Sequence, residues 1–216
     1  MRLGTEIIAT AQALEGSGLA YGGFGSVSAR TATGMLITPA VTSYSRLGPD
    51  EIVAMDFDGS WFATGELRPN PEWRLHLDIL GARPDIDAVV HSHSTFASVL
   101  AAHGREISAV HHSIGLAGGD SIRCARYATV GSPELSAQAL AALHQRRGCL
   151  LRNHGALALG FSLGNALVLA RQIEELAKIS VFAASLGEVQ PIDASEMDNV
   201  VPFVECHYGA GAKVSR

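Results

Sequence analysis

Short apolar runs of β type alternate with helical patterns along this chain in an irregular order, and no other feature narrows the fold as far. Met35-Leu36-Ile37-Thr38, Ile52-Val53-Ala54-Met55, Ala88-Val89-Val90 and Cys149-Leu150-Leu151 read as strands. Helical signals fall between some of them and not others. One such pattern runs from Thr5 to about Glu15 and ends near Gly16. Asn70-Pro71-Glu72 sets an N-cap residue before a proline at the first helical position, and Leu75, Ile79 and Leu80 continue at helical spacing up to Arg83-Pro84. Ser132-Pro133-Glu134 repeats that start ahead of Leu135, Ala139 and Leu143. A further helix after Ser162 carries Leu167, Ala170, Ile173, Leu176 and Ala177 on one face. The regular βαβ rhythm of a doubly wound parallel fold is missing. The order therefore predicts a mixed α/β domain, α+β-like in character, with helices around one sheet. At 216 residues the chain can build one sizeable core and would be cramped with two. No repeat or Pro/Gly/Ser-rich linker divides it, so a single domain is expected, with a loose tail after Gly209.

Several function classes are excluded early. Uninterrupted apolar runs such as Ala139 to Leu143 fall far short of the roughly 18 residues of a spanning helix. Met1-Arg2-Leu3-Gly4 opens no signal-peptide pattern. Three cysteines, Cys124, Cys149 and Cys206, show no CxxC spacing and are odd in number, which argues against a disulfide framework or a cysteine-rich zinc module. A reducing cytoplasm is the expected location, with no membrane partner. A net charge of −5 and no Lys/Arg run longer than Arg146-Arg147 give no footprint for nucleic acid.

The chemistry concentrates in Asp87-Ala88-Val89-Val90-His91-Ser92-His93. Period two puts both imidazoles on one face of a strand, with Cα atoms about 6 to 7 Å apart, where both can reach one metal. The alternative is one core-facing histidine and one incidental neighbour. A third histidine, His154, follows the strand-type run Cys149-Leu150-Leu151 and precedes Gly155, whose lack of a side chain permits a sharp turn or close backbone approach. Three histidines without cysteine suit an open, catalytic zinc site. Glu72, in the first turn of the helix capped by Asn70, is a candidate general acid/base, or else a carboxylate that complements the helix dipole. Gly22-Gly23-Phe24-Gly25-Ser26 could expose backbone N–H groups to an anion, but it lacks the lysine of a P-loop and leads into a strand. Pro39-Ala40-Val41-Thr42-Ser43-Tyr44 reads as another loop at the same sheet edge. His76, His103, His144 and His207 have no partner at ligand spacing and read as surface or satisfied core residues. His111 and His112 point to opposite faces if they lie on a strand.

The segments MLITPA, LGPDEIVAMDFDG, PEWRLHLDILGARPDIDAVVHSHS, AGGDSIRCARYAT and LLRNHGALALG stand in this order. Together they make the chain resemble the class II aldolase/adducin family over nearly its whole length. The resemblance implies a central mixed, largely antiparallel sheet flanked by helices over residues 1–209, with 210–216 as a flexible tail. It also implies that His91, His93 and His154 hold a catalytic Zn2+, with Mn2+ or another divalent metal as alternatives, and that Glu72 is the acid/base. Homotetramers with active sites at subunit interfaces are implied too, along with a C-terminal tyrosine, here Tyr208, that donates a proton to the departing aldehyde. His112 stands where many of the aldolases carry a tyrosine from the neighbouring subunit.

The departures are specific. The phosphate-cleaving members hold the phosphate on a Gly-Thr-x-Gly-Asn loop, a Thr-Gly pair and two serines before the catalytic glutamate. Here those substrate-binding positions read Gly22-Gly23-Phe24-Gly25-Ser26, Ala40-Val41 and Asn70-Pro71. Hydroxyl donors are lost, Phe24 and Val41 add apolar bulk, and Pro71 has no N–H to offer. The expectation is a lyase that breaks a carbon–carbon bond of a hydroxy-carbonyl substrate through a metal-stabilised ene-diolate, on something other than a typical sugar phosphate. One alternative is a metal-dependent decarboxylase of a hydroxy-aromatic or 3-oxo acid, with Arg123 or Arg126 on the carboxylate. Another is a non-catalytic, adducin-like binding module.

Overall fold

The computed structural model describes residues 2–40, 43–63 and 65–208. Val41 and the tail over 210–216 lie outside the described residues. The strands are β1 (Ser26–Arg30), β2 (Gly34–Ile37), β3 (Val53–Asp56), β4 (Trp61–Phe62), β5 (Ala88–Ser92), β6 (Cys124–Ala125), β7 (Gly148–Leu151) and β8 (Gly155–Gly160). They form one sheet in the order β4-β3-β2-β1-β5-β8-β7-β6. Every pairing is antiparallel except β6 with β7. The helices are α1 (Arg2–Gly16), α2 (Trp73–Ala82), α3 (Thr95–Ala102), α4 (Pro133–Ala142), α5 (Leu163–Ser185) and α6 (Ala194–Tyr208). This is the expected single-domain, largely antiparallel architecture.

The two sheet faces follow from strand alternation. Val27, Ala88, Val90, Leu150, Ala156 and Ala158 pack with Ile7, Leu14, Leu100, Leu163, Ile173 and Leu176 of α1, α3 and α5. Met35, Ile37, Val89, Leu151, Leu157 and Leu159 pack with Leu75, Ile79, Leu80, Leu135 and Ala139 of α2 and α4. On β8 the small side chains face α5 and the large ones face α2 and α4, so the long helix lies close to the sheet.

Helix starts show where local signals hold. Ser132 Oγ accepts from Leu135 N, and Ser162 Oγ accepts from Asn165 N, as the sequence suggests for α4 and α5. At α2 the Asn70 Oδ1 accepts from Glu72 N at 3.0 Å and the Asn70 carbonyl accepts from Trp73 N at 2.9 Å. A tight turn thus precedes the helix, which begins at Trp73, and Glu72 sits at its N-cap rather than inside the first turn. The element α3 is capped from a distance. Ser94 makes no side-chain cap bond; instead Glu174 of α5 accepts from Phe96 N and Ala97 N, both at 2.9 Å. A carboxylate at a helix N-terminus satisfies two free N–H groups and complements the dipole.

One polar cluster interrupts the α2 face. His76 is fully buried, and its Nε2 and Nδ1 lie 2.7 Å from Ser26 Oγ and Ser28 Oγ respectively. Burial, reinforced by the charge of His91, pushes the imidazole down to about 3, so it is neutral at ordinary pH.

Hydrogen bonds to a charged acceptor contribute about 1.5–3 kcal/mol each, part of which water recovers at this half-buried site. Glu174→Ala is expected to lower the unfolding free energy by about 2 kcal/mol, read as a shift of the urea midpoint at unchanged slope. Glu174→Gln, which keeps one acceptor oxygen, should cost less.

Candidate metal centre

β5 lies at the middle of the sheet between β1 and β8, and its C-terminal end delivers the His-x-His pair. Ser26 of β1 and Leu157 of β8 are the register partners of His91. His93 follows the strand, tied by its backbone N–H to the Leu19 carbonyl at 3.0 Å. His154 sits in the three-residue connection from β7 to β8, where Asn153 takes a left-handed φ of 56°. Gly155 closes that connection. A Cβ there would collide with the Ser92 carbonyl oxygen, so only glycine lets the start of β8 approach β5 closely enough to present His154 to the pair.

The three imidazoles form a compact triangle. Ring centroids are 4.7 Å apart for His91 and His93, 4.8 Å for His91 and His154, and 4.9 Å for His93 and His154. The Glu72 carboxylate faces them from the start of α2. Its Oε2 lies 2.9 Å from His91 Nδ1 and 4.0 Å from His93 Nε2, and its Oε1 lies 3.0 Å from His154 Nε2. One donor atom from each of the four residues falls within 4.8 Å of the others. Glu72 and His91 are 7% and 0% exposed.

The donor set fits a divalent cation on a further observation. Glu72 Oε1, both His91 ring nitrogens and His93 Nε2 are buried without a hydrogen-bond partner, despite the short separations. Buried polar atoms left unpaired cost about 1–3 kcal/mol each, and coordination is the usual way such a convergent set is satisfied. Burial alone would raise the Glu72 carboxyl, but the charge of His91 and the close approach of the His154 ring outweigh it and hold the group well below the usual carboxylate range. Burial first, then the charges of His91 and His154, push His93 down to about 3. At neutral pH the site presents an anionic carboxylate and a neutral His93, the forms that bind metals.

A cavity of about 480 Å³ opens beside the cluster, with Glu72, His93 and His154 in its wall. Gly23, Phe24, Gly25, Ala40, Asn70 and Pro71, all singled out from the sequence, also line it. Phe24 is 59% exposed and its ring stacks on His93 at 5.8 Å. Asn70 is engaged on both sides, since its Nδ2 donates to the Gly25 carbonyl at 3.3 Å while its Oδ1 holds Glu72 N. Ser26 does not reach the cavity, because its hydroxyl is turned inward onto His76. His112 opens a short 3-10 turn, His112–Ala117, is exposed, and is absent from the cavity wall; its ring lies 4.2 Å from that of His111. Tyr208 is the last residue of α6, and its side chain lies outside what is described. Arg123 donates to the Ala142 and His144 carbonyls at 3.3 and 2.8 Å, so it is committed to the main chain.

Two contributors escaped the sequence reading. Val130, ahead of α4, supplies an exposed apolar wall, and nothing in the stretch around it signals chemistry. Tyr44 is buried and donates its hydroxyl to the Gly25 carbonyl at 2.7 Å, fixing the glycine loop; its phenol is shifted upward, chiefly by burial. The sequence marks it only as the last residue of a loop at the sheet edge.

The family described as Class II Aldolase and Adducin N-terminal domain matches residues 5–181. The 5-methylthioribulose-1-phosphate/5-deoxyribulose-1-phosphate aldolase of Rhodospirillum rubrum is 43% identical over 197 residues, 91% of this chain and 88% of that protein. The L-fuculose phosphate aldolase of Escherichia coli K12 is 38% identical over 200 residues, 93% and 92% of the two chains. A solved L-fuculose 1-phosphate aldolase superposes with a TM-score of 0.90 at 34% identity, covering 94% of this chain and 96% of its own.

Elemental analysis of the purified protein is expected to find about one transition metal per chain. His91→Ala should lose it. Gly155→Val, which removes no donor, should lower metal content as well by pushing His154 away from the pair.

Proposed function

The chain belongs to the class II aldolase and adducin family, and from that premise we propose that it is a divalent-metal-dependent aldehyde-lyase that cleaves a hydroxy-ketone into a smaller ketone and an aldehyde. The observation that carries this reading is the convergence of Glu72 on His91, His93 and His154 at the wall of an open cavity. His91, His93 and His154 hold the cation, proposed as Zn2+ because three imidazoles with an open position are a known catalytic zinc set, with Mn2+ or another divalent ion as alternatives. When bound, the cation supplies Lewis-acid polarisation of the substrate's carbonyl and hydroxyl oxygens. Glu72 moves the proton at the carbon on the ketone side of the broken bond: it returns a proton there in cleavage and removes it in the reverse, carbon–carbon-forming direction. The proton on the hydroxyl of the departing fragment leaves as that oxygen becomes the aldehyde carbonyl. Tyr208 and His112 are assigned to that end, where they accept this proton in cleavage and donate one to the aldehyde oxygen in the carbon–carbon-forming direction, acting across a subunit boundary in a homotetramer. The exposed position of His112, off the wall of its own cavity, supports a role at a neighbouring site.

The substrate reading rests on the cavity wall. Phe24, Ala40, Pro71 and Val130 are apolar, Ser26 is turned away, and both polar atoms of the Asn70 amide are already bonded. Among the described residues, a phosphate there would find backbone N–H groups of the glycine loop and no free hydroxyl. We therefore assign an unphosphorylated or apolar group to this end of the substrate. The Rhodospirillum rubrum relative is named for 1-phosphates whose methylthio or deoxy carbon is at position 5, the far end from the phosphate, so its name supports the aldolase reaction while the assignment of this end rests on the cavity wall alone. The decarboxylase alternative finds no support, since the named relatives are aldolases and Arg123 is spent on main-chain carbonyls.

Glu72→Gln should lower turnover by about 10² or more while metal content stays constant, as befits proton transfer. Loss of the metal instead would make Glu72 a ligand. In a paired screen of ketoses with and without phosphate, aldehyde release from the unphosphorylated set is expected. Carbon dioxide release without aldehyde would overturn the aldehyde-lyase reading.

A further inference from the structure

We propose that His76 is a positioning residue: gripped by Ser26 and Ser28 through both ring nitrogens, it fixes α2 on β1 so that Glu72 faces the three histidines. This rests on the assignment of Glu72 to the site and deepens it.

Glu72 and His76 are four residues apart at the start of α2, so their side chains project from the same helix face, one turn apart. Ser26 and Ser28 are two apart on β1, so both hydroxyls stand on the same sheet face. Ser26 is also the register partner of His91. The trio therefore joins the helix that carries the carboxylate to the strand beside the metal-binding histidine. Both contacts are 2.7 Å, and all three side chains are fully buried. A neutral imidazole has one donor and one acceptor nitrogen, so one serine accepts and the other donates, and a single ring orientation satisfies both.

Packing does not require this arrangement. The same face of the sheet is otherwise built from Met35, Ile37, Val89 and Leu157, and a leucine at position 76 with alanines at 26 and 28 would bury no polar side-chain atoms there. Burying an imidazole and two hydroxyls costs desolvation that the two hydrogen bonds roughly offset. What the polar trio adds is direction. An apolar contact tolerates sliding of a helix along a sheet, whereas two short hydrogen bonds from one ring to alternate residues of one strand do not. Misplacement of a catalytic group by about 1 Å can cost about 10²-fold in rate, so such a fixture one turn from Glu72 has a function that simple packing would not supply.

Ser28→Ala removes one grip without touching the cavity, and Ser26→Ala provides an independent second variant. Each is expected to lower kcat by about tenfold with KM changed less than twofold and metal content unchanged; placed on Glu72→Gln, neither should lower kcat further. The visible absorption of the Co2+-loaded protein is a readout that needs no substrate: Ser28→Ala should shift the bands in the same sense as Glu72→Gln. A lower urea midpoint with kcat and the Co2+ spectrum both unchanged would show His76 to be a structural core residue only. A shifted spectrum in a protein with no lyase activity would keep the positioning role and discard the proposed reaction instead.

Discussion

Antiparallel pairing of β5 with β1 on one side and β8 on the other brings distant stretches of the chain to one end of the sheet, and the site is assembled at that junction. The register places His91 beside Ser26, and the β7–β8 connection drops His154 against the same strand end. The tolerance is small. Gly155 has to lie against the Ser92 carbonyl, and Gly25, at φ 113°, would bring a Cβ to 2.9 Å from the His91 carbonyl. Two glycines on opposite sides of β5 thus set how closely its neighbours approach. The helices then complete the work from outside the sheet, α2 by carrying Glu72 and α5 by holding the start of α3 just after His93.

Polar groups are concentrated where the core would otherwise be uniformly apolar. Four ionisable side chains converge in the cluster, a buried imidazole is threaded between two serines, and a tyrosine hydroxyl is tied to the glycine loop. Each costs desolvation, and stability alone would favour replacing them with hydrocarbon. Their arrangement is that of a region where stability is given up for chemistry, surrounded by two hydrophobic layers large enough to carry the loss. Phe24 lies at the rim, its ring stacked on His93 in the wall of the cavity.

Much of this was legible in the sequence. Period two alone put His91 and His93 on one face, and a histidine after a second strand-type run identified His154. Glu72 was visible only as a carboxylate near a helix start, because a capping role and a chemical role leave the same trace in a single sequence. The resemblance, not the spacing, selected between them. Local signals failed where the partner was remote. The Ser94 hydroxyl makes no cap bond at α3, and Glu174, seventy-eight residues away from Phe96, does that work. His76 read as a surface or satisfied core residue and is the latter, but what satisfies it was hidden, since its partners lie on a strand about fifty positions earlier. Ser26 was assigned to the substrate from its place in a motif, and only the strand register shows that its hydroxyl faces the other way. The strand β8, with its alternation of alanine and leucine, and the helices α3 and α6 carried no start signal strong enough to be read.

The donors at positions 72, 91, 93 and 154 come together only when α2, β5 and the β7–β8 connection are in their native places, so an unfolded chain offers no equivalent chelate. Any cation held there binds the folded form selectively, and its binding free energy becomes part of the folding free energy. Folding stability then rises with the free concentration of the metal ion, so scarcity of that ion lowers resistance to unfolding and proteolysis along with turnover.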